Sequence, residues 1–390
     1  MQLSSRIRAI PEPAGNAWEI YERAQEMRTE GIDVTMLSIG DHDTITPEPI
    51  IAHMAGAARQ GNTGYASVPG MAPLRAAIAE RATLRTGAAA VAGNVFVTPG
   101  GQFALFEALM AVTDPGDKVV MIDPYYATYP ITIRAAGAAP VIVKADPDNG
   151  FQPDLQDMAA KLPGCRALLL NTPNNPTGAV YSRDTLNAIA ELCQAHDVWL
   201  ISDEVYDGQI WEGEHLSPRG LPGMAERTIV IGSMSKSHIM TGFRLGWVLA
   251  PEQVVNAIWE LAIATTYGVP GFIQEAACFA LTEGDAIEAE ATARYRSRRD
   301  LAVDVLRGAN GLRLSAPQGA MYVMVDIRPT GLSGIAFARK LLEEHHIAVM
   351  PGEGFGQAAA GHLRVSLTLE DDALVAALRT LAGLAGALAV

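Results

Sequence analysis

The stretch Thr228-Ile229-Val230-Ile231-Gly232-Ser233-Met234-Ser235-Lys236, with Arg244 eight positions beyond it, decides how this chain is read. The β-branched run 228–231 marks a strand covered on both faces. Most lysines stand solvated on surfaces among other charges. Lys236 instead follows the end of a buried strand, flanked by hydroxyls and accompanied by a second cation. An amine in such a place can lose its proton and attack an aldehyde, while hydroxyls and a guanidinium can hold a phosphate. Lys236 is therefore a candidate for Schiff-base chemistry beside an anion site, with a solvated surface lysine as the alternative.

The same texture repeats on either side of this stretch. Short, mostly apolar strands are expected at 95–98, 118–122, 140–143, 167–170, 198–202, 228–231 and 245–249. Helical patterns, such as 102–112 and 185–196, separate many of them. This alternation argues for an α/β fold: a large domain with a mainly parallel seven-stranded sheet covered by helices. Beyond Gly284 the texture changes. Residues 286–307, rich in alanine and arginine, read as a long exposed helix, with Arg294, Arg296, Arg298 and Arg299 on a solvated face. Strands at 321–325, 348–350 and 362–367 and a helix at 335–345 follow, which reads as a smaller α+β domain. The last helix is expected to start at Thr368, where Thr368 and Asp371 resemble a capping box and Glu370 and Asp372 favour the positive helix end. The expected organisation is an N-terminal segment, 1–45, packing on both domains, a large domain over 46–284 and a small C-terminal domain over 285–390.

Bulk properties exclude several classes of function. The chain has 390 residues and a formal net charge of -14, which argues against a nucleic-acid partner. Any anionic ligand must then be held by a few local cations. Cys165, Cys193 and Cys278 lie far apart and show no metal or disulfide spacing, so no metal and a reduced, cytoplasmic setting are expected. Arg6 and Arg8 stand where a secretory leader would be apolar. The long uncharged stretches are broken by glycine and proline, so no membrane span is expected.

Ligands of parallel α/β sheets bind beyond the carboxyl ends of the strands, and four such ends carry chemistry here. Thr98-Pro99-Gly100-Gly101-Gln102 offers backbone N–H groups at a helix start, an anion cradle or a plain tight turn. Asn171-Thr172-Pro173-Asn174-Asn175-Pro176-Thr177-Gly178 is a fixed loop presenting Asn175, with turn-forming asparagines as the alternative. Asp203, in Ser202-Asp203-Glu204-Val205-Tyr206, follows a nearly apolar strand. A buried carboxylate there needs a cationic or hydrogen-bonding partner, and a protonated pyridine would serve; a helix cap is the other reading. The Lys236 stretch is the fourth.

These motifs, in this order, resemble the class I/II aminotransferase family of fold-type I pyridoxal-phosphate enzymes. The resemblance spans nearly the whole chain. It takes in Gly40, Gly64-Tyr65, Gly70, Leu74-Arg75, Pro124-Tyr125-Tyr126, Pro317-Gln318-Gly319-Ala320, the turn from Pro351-Gly352 to Phe355-Gly356, and Arg364-Val365-Ser366-Leu367. It implies pyridoxal 5′-phosphate as cofactor, with Lys236 forming the Schiff base and later shuttling the proton between substrate Cα and cofactor C4′. It implies Asp203 as partner of the ring nitrogen, and Tyr206 with Asn175 as donors to the phenolic oxygen. Tyr126 matches the residue that stacks on the ring, where the family often has tryptophan. Gly101, Gln102, Ser233, Ser235 and Arg244 would hold the phosphate. Tyr65 would reach the phosphate of a neighbouring subunit, which implies a homodimer with shared active sites. Arg364 would clamp the substrate carboxylate, with the backbone of Gly40 nearby; an edge-strand surface arginine is the alternative.

The implied reaction moves an amino group from an L-amino acid to a 2-oxo acid with ping-pong kinetics. A lyase eliminating a β-substituent would use the same cofactor residues, and a non-catalytic sensing module is a further alternative. Many relatives have Gly-Glu-Pro-Asp-Phe where this chain has Gly40-Asp41-His42-Asp43-Thr44. This points to a more polar pocket, with His42 either a substrate contact or a structural residue.

Overall fold

The computed structural model describes residues 1–11 and 18–389; residues 12–17, part of the expected N-terminal segment, lie outside the described residues. The central sheet has eight strands, in the order Val95–Thr98, Gly246–Leu249, Thr228–Ser233, Trp199–Asp203, Ala167–Asn171, Lys118–Asp123, Ala139–Asp146 and Gln152–Pro153. The middle five pair in parallel from Thr228–Ser233 through Ala139–Asp146. The Gly246–Leu249 strand runs antiparallel to both its neighbours. The expected seven strands are all there. The eighth, Gln152–Pro153, is a two-residue antiparallel edge whose proline suits an edge position, too short to leave an apolar run in the sequence.

Strands and helices form where the side chains dictate. Ala167–Asn171 and Thr228–Ser233 are buried along their whole length, because helices cover both faces. Helix Arg183–Ala195 starts at Ser182, whose hydroxyl accepts from Thr185 N. Helix Gly101–Val112 follows Gly100, whose φ of 84° favours glycine. One residue of that helix breaks the rule of burial. Glu107 is fully buried, neither carboxylate oxygen has a hydrogen-bond partner among the described residues, and burial pushes its pKa up to about 8.

The folded state holds a proton that the unfolded chain releases near pH 4.5, so stability falls as pH rises from about 4.5 to about 8 and is level above. Glu107→Met should remove this slope. Melting curves should show a gain of order 4 kcal/mol at pH 8 and almost none at pH 4.

A second, four-stranded antiparallel sheet is built from Arg313–Leu314, Tyr322–Asp326, His362–Ser366 and Met350–Pro351. Helices Gly334–His345 and Asp371–Leu388 pack with it in one apolar core that also takes in Ile20, Ala24 and Leu37. Residues Thr35 and Met36 pair in parallel with Ile347 and Ala348.

Two expectations change here. Helix Asp285–Leu306 is not an exposed rod: Tyr295 and Arg298 are each 1% exposed. Arg298 makes a forked pair with Asp43 at 2.9 and 2.8 Å and reaches Asp371. Arg296 donates to the carbonyls of Ile210 and Trp211, and Arg299 to that of Pro317. Arg296, still exposed, and Arg294, paired with Glu290 one turn away, keep the solvated role. The partners lie far off in sequence, so a helical charge pattern gave no sign of them. The last helix begins at Asp371 with no side-chain cap, and Thr368 instead bonds Ser366 Oγ and the Ile39 carbonyl.

Candidate active site

The carboxyl ends of the parallel strands open into one cavity of about 430 Å³. Asn171, Asp203 and Ser233, each the last residue of its strand, lie on its wall. Lys236 enters from the short helix Met234–Ser237 that follows the central strand Thr228–Ser233. Its Nζ donates to the Gly40 carbonyl at 2.6 Å. Gly40 must be glycine, because a Cβ there would lie 1.8 Å from the Tyr322 hydroxyl.

Opposite the lysine, Asp203 is buried. The Tyr129 hydroxyl donates to its Oδ2 at 2.6 Å and Val205 N to its Oδ1 at 3.3 Å. Burial outweighs these bonds and pushes the Asp203 pKa up to about 6. A carboxylate in this state is stabilised by a cation. Burial, followed by the Asp203 charge, pushes the Tyr129 pKa well up, so that hydroxyl stays a donor.

Asn175 and Tyr206 meet beside it, with Asn175 Nδ2 3.4 Å from the Tyr206 hydroxyl. Asn171 holds Asn175 in place by accepting its backbone N–H at 2.7 Å. At the other end, Gly101 and Gln102 open a twelve-residue helix, with Ser233, Ser235 and Arg244 around them. A Cβ on Gly100 would lie 2.5 Å from Arg244 Nη2, so only glycine lets the guanidinium lie against the helix start.

Arg364, from strand His362–Ser366, is buried. It donates to Asn175 Oδ1 and to the Ser38 carbonyl, and its Nε has no hydrogen-bond partner among the described residues. The rings of Tyr322 and Phe355 flank the guanidinium at 4.5 and 4.6 Å. Asp123 fixes the turn bearing Phe355 by accepting from Gln357 N and Ala358 N.

The fold thus brings Gly40, Gly101, Gln102, Tyr126, Asn175, Asp203, Tyr206, Ser233, Ser235, Lys236, Arg244 and Arg364 to one cavity. Tyr65 is not among them. It is 92% exposed, its ring edge-on to Tyr267 with centroids 5.2 Å apart. His42 does not line the cavity, and both of its ring nitrogens are engaged, which favours the structural reading. Sequence reading missed Tyr129, Tyr322, Phe355 and Trp18 on the wall. Only Phe355 left a signal, in the turn from Pro351-Gly352 to Phe355-Gly356 that the resemblance takes in.

Residues 32–381 match the sequence pattern of the family described as aminotransferase class I and II. The chain belongs to this family. It is 45% identical over 384 residues to the arginine–pyruvate transaminase AruH of Pseudomonas aeruginosa, covering 98% of each chain. The aspartate/prephenate aminotransferase of Thermus thermophilus is 38% identical, with 98% of this chain and 99% of that one covered. A solved double mutant of the Thermus thermophilus aspartate aminotransferase superposes with a TM-score of 0.92 at 36% identity, covering 98% of this chain and all of the other. The protein is an amino-acid aminotransferase that works with a 2-oxo acid. That decides for transamination over the elimination and sensing alternatives. The fold is that of the family, a mainly parallel sheet with a smaller antiparallel unit. Among the described residues, no helix is long and apolar enough to cross a membrane.

Proposed function

We propose that the cavity binds pyridoxal 5′-phosphate and that an aminotransferase reaction is carried by the residues on its wall. The observation that carries this reading is the convergence, in one cavity, of a lysine amine, a buried carboxylate, a glycine-lined cation cradle and a buried arginine with a spare donor. The residues fit the cofactor. Asp203 lacks the cation that a protonated ring nitrogen would supply. Ser233, Ser235, Arg244 and the helix start at Gly101 form a donor set suited to a phosphate. When bound, the cofactor supplies an aldehyde that captures amines and a ring that accepts electrons released at Cα.

The chain's own groups do the rest. Lys236 Nζ takes the proton from substrate Cα and gives it up again. Asp203, steadied by Tyr129, holds a fixed negative charge against a protonated ring nitrogen. Asn175 and Tyr206 present N–H and O–H to an oxyanion. Arg364 grips the substrate carboxylate with the fork of its guanidinium, with Tyr126 as the flat wall of the slot. Arg364→Lys loses the forked geometry, so kcat/KM should fall roughly 10²-fold, mainly through KM, in steady-state assays.

Among the described residues, the cations on the cavity wall are Lys236, Arg244 and Arg364, and each already has a task. This supports a donor without a side-chain carboxylate, closer to the arginine–pyruvate relative than to the aspartate enzymes. The exposed Tyr65 supports a homodimer in which it reaches the partner's phosphate site. Organisation into 1–45, 46–284 and 285–390, and a reduced, cytoplasmic setting for the three free cysteines, belong to the same proposal.

The test is a half-reaction screen. Holoenzyme is mixed with single amino acids and the loss of Schiff-base absorbance is followed. Arginine or neutral donors should convert it faster than aspartate or glutamate. Absence of any Schiff-base absorbance would overturn the cofactor reading, conversion by none of the donors would overturn the reaction assigned to the cavity, and a preference for aspartate would overturn the donor class alone.

A further inference from the structure

We propose that His42 is a positioning residue for the Lys236 amine, fixing the turn that carries the lysine to helix Asp285–Leu306. The inference rests on Lys236 as the proton carrier. His42 Nε2 lies 3.0 Å from the Ser235 carbonyl. A carbonyl only accepts, so Nε2 carries the hydrogen. The neutral ring then has an acceptor at Nδ1, and the Tyr295 hydroxyl, 2.7 Å away, donates to it. The two rings meet edge-on with centroids 5.4 Å apart. With both nitrogens engaged, the imidazole cannot turn without losing a bond.

The groups facing the ring keep it in this state. Lys236 stands on one side and Asp41 and Asp43 flank it in the chain. Burial, followed by the lysine charge, pushes the His42 pKa down to about 4, so the ring is neutral at working pH. Tyr295 is itself fixed. It is buried, and Arg298, from the same helix, lies 5.8 Å from its ring while forking onto Asp43.

One strap of three residues thus holds the lysine at two points. The Gly40 carbonyl accepts from Nζ, and His42 donates to the carbonyl of the Ser235–Lys236 peptide. A proline at 42 could make neither of the imidazole's bonds. A group that transfers a proton must be held to a fraction of an ångström, and a misplacement distant from the chemistry can slow the step strongly. Arg364 binds elsewhere on the wall. Loss of the His42 anchor should therefore slow proton transfer and leave carboxylate binding intact.

The test uses holoenzyme with His42→Ala, His42→Gln, Tyr295→Phe and the double variant His42→Ala/Tyr295→Phe, each checked for an unchanged melting cooperativity. Single-turnover half-reactions are run with protiated and α-deuterated donor, alongside binding of an unreactive carboxylate analogue. His42→Ala should slow the half-reaction about 10-fold, raise the isotope effect and leave analogue binding within about twofold. His42→Gln, which keeps an N–H for the Ser235 carbonyl, should recover part of the rate. The double variant should be no slower than His42→Ala, because both changes break one chain of bonds. Cofactor capture by the apo-protein, a readout independent of turnover, should slow in parallel.

An unchanged isotope effect, or a rate loss matched by equal loss of analogue binding, would overturn the proposal as a general loosening of the site. A rate equal to the unaltered enzyme in every variant would overturn it too. If Lys236→Ala kept both Schiff-base absorbance and turnover, the underlying reading of Lys236 would fail instead, so the two failures are distinguishable.

Discussion

Lys236→Ala should lower turnover by at least about 10⁴-fold and leave no Schiff-base absorbance, while the fold persists. Among the described residues the lysine amine donates only to the Gly40 carbonyl, so its removal strands one acceptor at the cavity wall and should cost little stability. Cofactor should still bind through the cradle of Ser233, Ser235 and Arg244, now without a covalent link. Added primary amines should restore a small part of the half-reaction, because a free amine can enter the vacated space and carry the proton. Absorbance spectra with a rapid-mixing assay decide the matter. A variant that retained the Schiff base would place the reactive amine elsewhere.

Asp203→Ala should lower turnover by roughly 10²- to 10⁴-fold with cofactor still bound, because the negative charge that keeps the ring nitrogen protonated is gone. The same carboxylate gives the cofactor-free protein a pH signature. Its pKa is raised from 3.8 to about 6 by burial, so the folded state holds a proton that the unfolded chain has lost. The Asp203 contribution to the stability of the apo-protein should fall as pH rises through about 4 to 6 and then level off. A cationic ring nitrogen removes that deficit, so the cofactor should raise the melting temperature more at pH 7.5 than at pH 4.5. Asp203→Ala should flatten the difference. Calorimetry of apo- and holo-protein at the two pH values measures it.

Much of the site could be read from the sequence because its chemistry sits where strands end. Asp203 and Lys236 each follow an apolar run that names its own strand, and in a parallel sheet those ends share one edge. Glycines at 40 and 100 are required by close approaches whose partners, Tyr322 and Arg244, stand far away in the chain. The sequence could show that glycine was there, not what it was making room for. Arg298 was misread for the same reason. Its spacing on an alanine- and arginine-rich helix matches a solvated face, and only the approach of Asp43, 255 residues away, turns it inward.

What the sequence determined by itself was the class of the fold, the order of the elements and the family, because apolar runs, turns and short motifs are local and keep their meaning in any context. Tertiary structure decided the rest. It set Tyr129 against Asp203, Tyr322 against Gly40, and His42 between Ser235 and Tyr295. Each of these depends on where two distant segments lie after packing, and burial then changes the energy of a charge or a hydrogen bond far more than any neighbour in sequence does.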